Sequence, residues 1–175
     1  MFVDEGWVAT TMARVATASG LTRQTVYQQF ESKLALLDAC IDTALSDGRS
    51  VPVRGMPEYQ RMGLGDKHAR IAAGTQWLSD AHLRSAEIQN VLDQAAVTDP
   101  DAAARLVARE NTRWSEVQWA LSLILGHDPE DEVVDALWTL ASRQLWLMLV
   151  RDRGWTPDQW RRWFGNQATT LLDTD

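Results

Sequence analysis

The sequence predicts an all-α protein, in which a helix-turn-helix headpiece precedes a larger helical domain. Three observations carry that expectation. Three helix starts share one pattern, a capping residue, Pro and an acid: Asp99-Pro100-Asp101, Asp128-Pro129-Glu130 and Thr156-Pro157-Asp158. Proline lacks an N–H where the first helical turn has no use for one, and the acid meets the positive end of the helix dipole. No segment alternates convincingly with period two, so no sheet is expected, whereas apolar residues recur three and four apart over most of the chain. Finally, Thr10 to Lys33 reads as two short helices joined by a glycine turn, with a third starting at once.

Composition narrows the class. The chain has 175 residues, 45% of them hydrophobic, with nine Trp, five Pro and ten Gly, enough for a sizeable core and unlike a low-complexity segment. Its single cysteine, Cys40, excludes an internal disulfide and a cysteine-based zinc cluster; a structural thiol in a reducing, cytoplasmic setting is expected. MFVDEGW has no signal-peptide pattern, and the apolar run Leu145 to Val150 is too short to span a bilayer, so no membrane partner is expected. The net charge of −7 argues against a general nucleic-acid binder. From Trp7 to Ala35, however, Arg14, Arg23 and Lys33 face only Glu31, so this stretch carries +2 and the remainder −9. Such a patch suits DNA binding through one face, with a steep salt dependence.

The headpiece follows from its caps. Thr10 or Thr11 can cap a helix whose apolar positions are Met12, Val15 and Ala16, and Gly20 can stop it in the left-handed region. Thr22 can cap a second helix, Arg23 to Phe30, with Leu21 and Val26 spaced as a hydrophobic staple. Val26 and Phe30 share the inner face, leaving Gln24, Thr25 and Gln28 outside, Tyr27 on a flank and Arg23 at the N-terminal end. Neutral donors and acceptors with one Arg suit base edges and phosphates; a solvated surface helix is the alternative.

The run GWVATTMARVATASGLTRQTVYQQFESKLALL resembles the DNA-binding signature of the tetracycline-repressor (TetR) family of bacterial transcriptional regulators. The resemblance rests on Gly6-Trp7, Thr10-Thr11, Ala13, Ala16, Gly20-Leu21, Thr25-Val26-Tyr27, Phe30 and Lys33, and covers about the first 45 residues. It implies that Thr10 or Thr11, Tyr27 and Lys33 hold phosphates and that Arg23, Gln24, Thr25 and Gln28 reach bases. In that family a full helix precedes the Gly-aromatic pair. Here only its last turn is represented, by Phe2: either the sequence starts at an internal Met, or the helix is lacking, in which case Val15, Val26 and Phe30 are expected to be partly uncovered.

Ser32 is expected to cap a helix to about Leu45, which closes the headpiece (1–45). Residues 46–65, with Gly48, Pro52, Gly55, Pro57, Gly63 and Gly65, read as a linker. In the helical domain, 66–175, a bend is expected at Arg84-Ser85, followed by helices over roughly 100–125, 129–152 and 157–172. The last two look like a dimer interface, with Trp138, Leu145, Met148, Trp160, Trp163 and Phe164 as its apolar residues. By resemblance, the last two helices of two subunits form a four-helix bundle. Along 100–125, Glu110 interrupts an apolar seam. Either it lines a ligand cavity with Trp114, beside Trp77 and Trp119, or it sits near the rim and pairs with Arg113.

Catalysis finds little support. His68, His82 and His127 lie far apart, without metal-ligand spacing, and no phosphate loop, nucleophile elbow or carboxylate pair in an apolar setting occurs. No metal, cofactor or enzymatic activity is expected. The sequence therefore suggests a regulator, a repressor by the resemblance, that binds operator DNA as a homodimer and responds to an apolar or aromatic small-molecule effector. The alternative is a helical dimer that senses or sequesters a small ligand without binding DNA.

Overall fold

The structure, a computed structural model, describes residues 1–173, which form helices and no strand. Helix α1 (Phe2–Ala9) is broken at Gly6, whose φ of 80° only glycine adopts without strain. Helix α2 (Met12–Ser19) starts on Thr11, which accepts the Arg14 N–H, and ends on Gly20 at φ 69°. The Leu21 N–H returns to the Ala16 carbonyl, closing the turn. Thr22 accepts from Thr25 to open α3 (Arg23–Gln29), and Ser32 accepts from Ala35 to open α4 (Lys33–Leu45). Leu21 remains half exposed, so the entry to α3 rests on the cap rather than on a Leu21–Val26 staple.

Residues 46–65, read as a linker, are folded. A 3₁₀ turn at Val53–Gly55, a short α5 (Pro57–Gln60) and a second 3₁₀ turn at Arg61–Gly63 bury Met56, Tyr59 and Met62 in the core of the larger domain. Glycine and proline mark turns here, but three large side chains spaced three residues apart fix those turns against α6 and α7.

Helix α6 (Lys67–Ala96) runs for 30 residues without the expected bend. The Ser85 hydroxyl donates back to the Ala81 carbonyl within the helix, so the polar Arg84-Ser85 pair is accommodated without a break. This helix passes through both cores. Ile71 and Ala86 join the C-terminal core, while Val91, Leu92 and Ala95 pack with Phe2, Trp7, Leu37 and Ile41 of the headpiece. Ala102, near the start of α7 (Pro100–Leu125), completes the headpiece core. The headpiece is thus built on the body. Val26 is buried, whereas Val15 and Phe30 stay half-buried.

The expected helix 129–152 is divided. Helix α8 spans Asp131–Leu140, the chain turns at Ala141-Ser142, Ser142 caps α9 (Arg143–Trp146), and a π-helical stretch follows over Leu147–Asp152. By length and mean hydropathy (1.2), Asp131–Asp152 is the one stretch among the described residues that could cross a membrane. It is broken at Ser142, and Arg143 within it is buried in an ion-pair network. Helix α10 (Pro157–Leu172) opens on a complete capping box between Thr156 and Gln159. Its Trp160 is fully buried, stacks on Phe164 and packs edge-on to Trp146.

Candidate nucleic-acid interface and ligand cavity

The outward face of α3 carries Arg23, Gln24, Tyr27 and Gln28, all exposed, Tyr27 at 54%. None of the four side chains is hydrogen-bonded to the rest of the described chain, so their side-chain donors and acceptors are available. Thr25 is half-buried and engaged locally, with its hydroxyl 2.9 Å from that of Thr22. No carboxylate lies on this helix, and Arg23 makes no ion pair among the described residues.

Two of the residues expected to meet phosphates, Thr10 and Lys33, are differently placed, and Arg14 of the same cationic stretch is engaged as well. Thr10 is fully buried and donates to the Gly6 carbonyl at 2.9 Å, tying the end of α1 to its own break; it is inside the headpiece, and Thr11 is the exposed member of the pair. The Lys33 ammonium donates to the Trp7 carbonyl at 2.8 Å and lies 3.8 Å from the centre of the Trp7 ring. Burial lowers its pKa, partly opposed by the charge of Asp99. Arg14 is held by Glu5 and by the Ala9 carbonyl. The sequence spacing shows which positions belong to the motif; it does not show that the Gly6 break turns a carbonyl and a ring toward Lys33.

Behind the headpiece lies a cavity of about 520 Å³. It is lined by residues of α4, α5, α6, α7, the α8–α9 turn and α10, and much of its wall is apolar, including Ile71, Leu92, Ile124, Leu137 and Phe164. Trp77 and Glu110 line it; Trp114 and Trp119 do not. The Trp114 indole N–H bonds Asp135 at 2.7 Å, and Trp119 packs on Tyr59 and under Arg54. The wall also holds His82, a residue with no motif around it in the sequence.

The polar part of the wall is an ion network. Glu110 pairs with Arg113 at 2.8 Å and with Arg143, whose guanidinium also grips Asp93. Burial works to raise the Glu110 pKa, but the two arginines outweigh it and hold the carboxyl below its usual range. Arg113 further donates to the Trp138 carbonyl at 2.7 Å and covers the Trp138 ring. His82 Nε2 lies 3.1 Å from the Ala141 carbonyl, so the imidazole satisfies the exposed end of α8. Burial is the main cause of its pKa falling to about 3, which makes the ring neutral at ordinary pH. Carbonyls at the end of α8 are therefore held by cavity side chains.

One turn earlier, α7 holds the headpiece. Arg109 donates to Asp38 at 2.7 Å and to Asp42 at 2.9 Å, and Arg105 reaches Asp38 at 2.9 Å. Asp38 and Asp42 are on α4, so residues 105–113 of α7 grip α4 on one side and the α8–α9 turn on the other.

On the surface expected to pair with a second copy, Trp160 and Phe164 are corrected: both fill the protomer's own core. Met148 is 50% exposed, and Trp138, Leu145 and Trp163 are half-buried. Among the described residues, no cluster of His, Cys, Asp and Glu has the makings of a metal site.

Comparison with known proteins gives a match over the headpiece. Residues 1–40 fit the family described as bacterial regulatory proteins, tetR family. No curated protein and no solved structure matches the chain.

Proposed function

We propose that this chain, whose residues 1–40 match the tetR family of bacterial regulatory proteins, is a DNA-binding transcriptional regulator, a repressor that binds operator DNA as a homodimer and is released by a small effector held in the cavity behind α4. The observation that carries the DNA-binding reading is the α3 face, where Arg23, Gln24, Tyr27 and Gln28 project outward, uncharged apart from Arg23. Arg23, Gln24 and Gln28, with Thr25 beside them, are the base-reading candidates. Thr11 and Tyr27 are the phosphate contacts that remain accessible.

Two such helices related by a two-fold axis would enter successive major grooves about 34–36 Å apart. Met148, Leu145, Trp138 and Trp163 supply an apolar surface for that pairing. The effector reading is supported by the cavity's volume and apolar lining and by the position of α7, whose residues 105–113 line the cavity while gripping α4. An occupant that displaced this segment would shift α4 and with it the headpiece, a two-state coupling. A regulator of this kind works in the cytoplasm, beside the chromosome.

Selection of bound fragments from random DNA tests the proposal. The expected result is an enriched sequence with two-fold related half-sites, lost from the protein on adding an effector. Failure to enrich any sequence would leave the alternative, a ligand-binding helical protein that does not read DNA.

A further inference from the structure

The cavity wall is charged but balanced. Its charged lining residues are Asp42, Arg105, Arg109, Glu110, Arg113, Glu116 and Arg143, and each has a partner of opposite sign. Arg105 and Arg109 meet Asp38 and Asp42, Arg113 and Arg143 meet Glu110 and Asp93, and Arg54 meets Glu116 at 3.0 Å. Five arginines therefore face five carboxylates. The remaining titratable groups on the wall, His82 and Tyr59, are neutral at ordinary pH, and burial moves each further from its charged form, the imidazole pKa down to about 3 and the phenol pKa up.

An ionic occupant would disturb this balance whichever sign it carried. A carboxylate that took Arg143 or Arg113 would strand Glu110 or Asp93, and an ammonium that took Glu110 would strand the arginines. A stranded charge away from water costs more than the new pair returns. Two residues that line the wall, by contrast, each hold a polar atom with no hydrogen-bond partner in the protein, itself covered by neighbouring atoms: the Thr75 hydroxyl and the Trp77 indole N–H. Thr75 is itself 93% buried (7% exposed). A buried polar atom left unpaired is destabilising, and a ligand oxygen is the group that would relieve it.

We infer that the cavity takes a neutral, largely apolar molecule that carries a hydroxyl or carbonyl oxygen for Thr75 or Trp77, and that it rejects carboxylates and ammonium ions of the same shape. The inference rests on reading this cavity as the effector site, and it adds the chemistry of the occupant.

Four anthracenes of one shape separate the possibilities: 9-anthracenemethanol, 9-methylanthracene, 9-anthracenecarboxylate and 9-anthracenemethylammonium. Binding to the full chain is read by energy transfer from tryptophan to anthracene at pH 7.5. The alcohol is expected to bind at least tenfold more tightly than either ion and more tightly than the methyl compound. Thr75→Val and Trp77→Phe are each expected to shrink the lead of the alcohol over the methyl compound, leaving the binding of the latter unchanged. An ion that bound as tightly as the alcohol, or a lead that survived both substitutions, would overturn the inference while leaving a ligand cavity in place. If none of the four bound, the reading of the cavity as an effector site would fall as well.

Discussion

Lys33 and His82 show how a side chain's role is set by what its neighbours expose. Lys33 has the position of a phosphate contact, yet its ammonium is directed at the Trp7 carbonyl and ring. Substitution by Met, which keeps the aliphatic stem on Trp7 but removes the charge, is expected to lower stability by about 1 kcal/mol. It should leave the salt slope of DNA binding unchanged. Urea denaturation with salt titration measures both, and a slope reduced by about one would return Lys33 to the phosphates.

His82 supplies a pH dependence. Its folded pKa of about 3 lies below the ordinary 6.5. The unfolded chain therefore takes up a proton between those values and the folded chain does not. Stability attributable to a neutral His82 is complete above pH 6.5 and is lost as pH falls toward 3, with a slope approaching about 1.4 kcal/mol per pH unit. His82→Gln, which retains a donor for the Ala141 carbonyl, should remove that component. The stability difference between wild type and variant is expected to change between pH 7 and pH 5 and to stay constant above pH 7. A difference independent of pH throughout would contradict the buried neutral ring. Nothing in the sequence around His82 announces this role, because the groups that bury it, Trp146 and Trp160, are more than 60 residues away.

At the scale of elements, the chain was most legible where a cap and a stop were both local. The α2–α3–α4 boundaries follow from Thr11, Gly20, Thr22 and Ser32, and α10 from Thr156, Pro157 and Gln159. It was least legible where a distant group decides. The α8–α9 break has no Gly or Pro; Ser142 caps the new helix, His82 and Arg113 hold carbonyls of the break from elsewhere in the fold, and Arg143 ties it to the distant Asp93 and Glu110. In the same way the uninterrupted course of α6 and the helical turns over 53–63 depend on packing that periodicity cannot reveal.

The network at the break can be weighed by substitution. Arg143→Met leaves Asp93 without its partner and Glu110 with one fewer, and is expected to cost about 3 kcal/mol. Adding Asp93→Asn to that variant should recover part of the loss, since one stranded charge is removed with it. Thermal and urea denaturation of the single and double variants supply the comparison. Equal losses in both would show that Arg143 acts through packing alone.

At the scale of the whole molecule, two cores share one long helix, and the headpiece is completed by Val91, Leu92, Ala95 and Ala102 of the body. Motion of α6 or α7 therefore reaches the headpiece through packing as well as through the Asp38 and Asp42 ion pairs. The proposed pairing of two copies belongs to this scale. Met148→Glu places a charge on the most exposed large apolar side chain of α8–α10 and is expected to shift the protein from dimer to monomer in sedimentation at micromolar concentration, with its helical content intact. An unchanged mass would place any self-association on another surface.

The central claim, that the outer face of α3 reads DNA, is tested most directly by titrating a fluorescent fragment, selected by the wild-type protein, with wild type and with the triple variant Arg23→Ala/Gln24→Ala/Gln28→Ala. These side chains are exposed, so the variant should melt within a few degrees of wild type. Wild type is predicted to bind the fragment with an affinity that falls steeply with salt, and the folded triple variant to bind it at least a hundredfold more weakly. A triple variant that bound the fragment as wild type does would show that α3 is not the reading face.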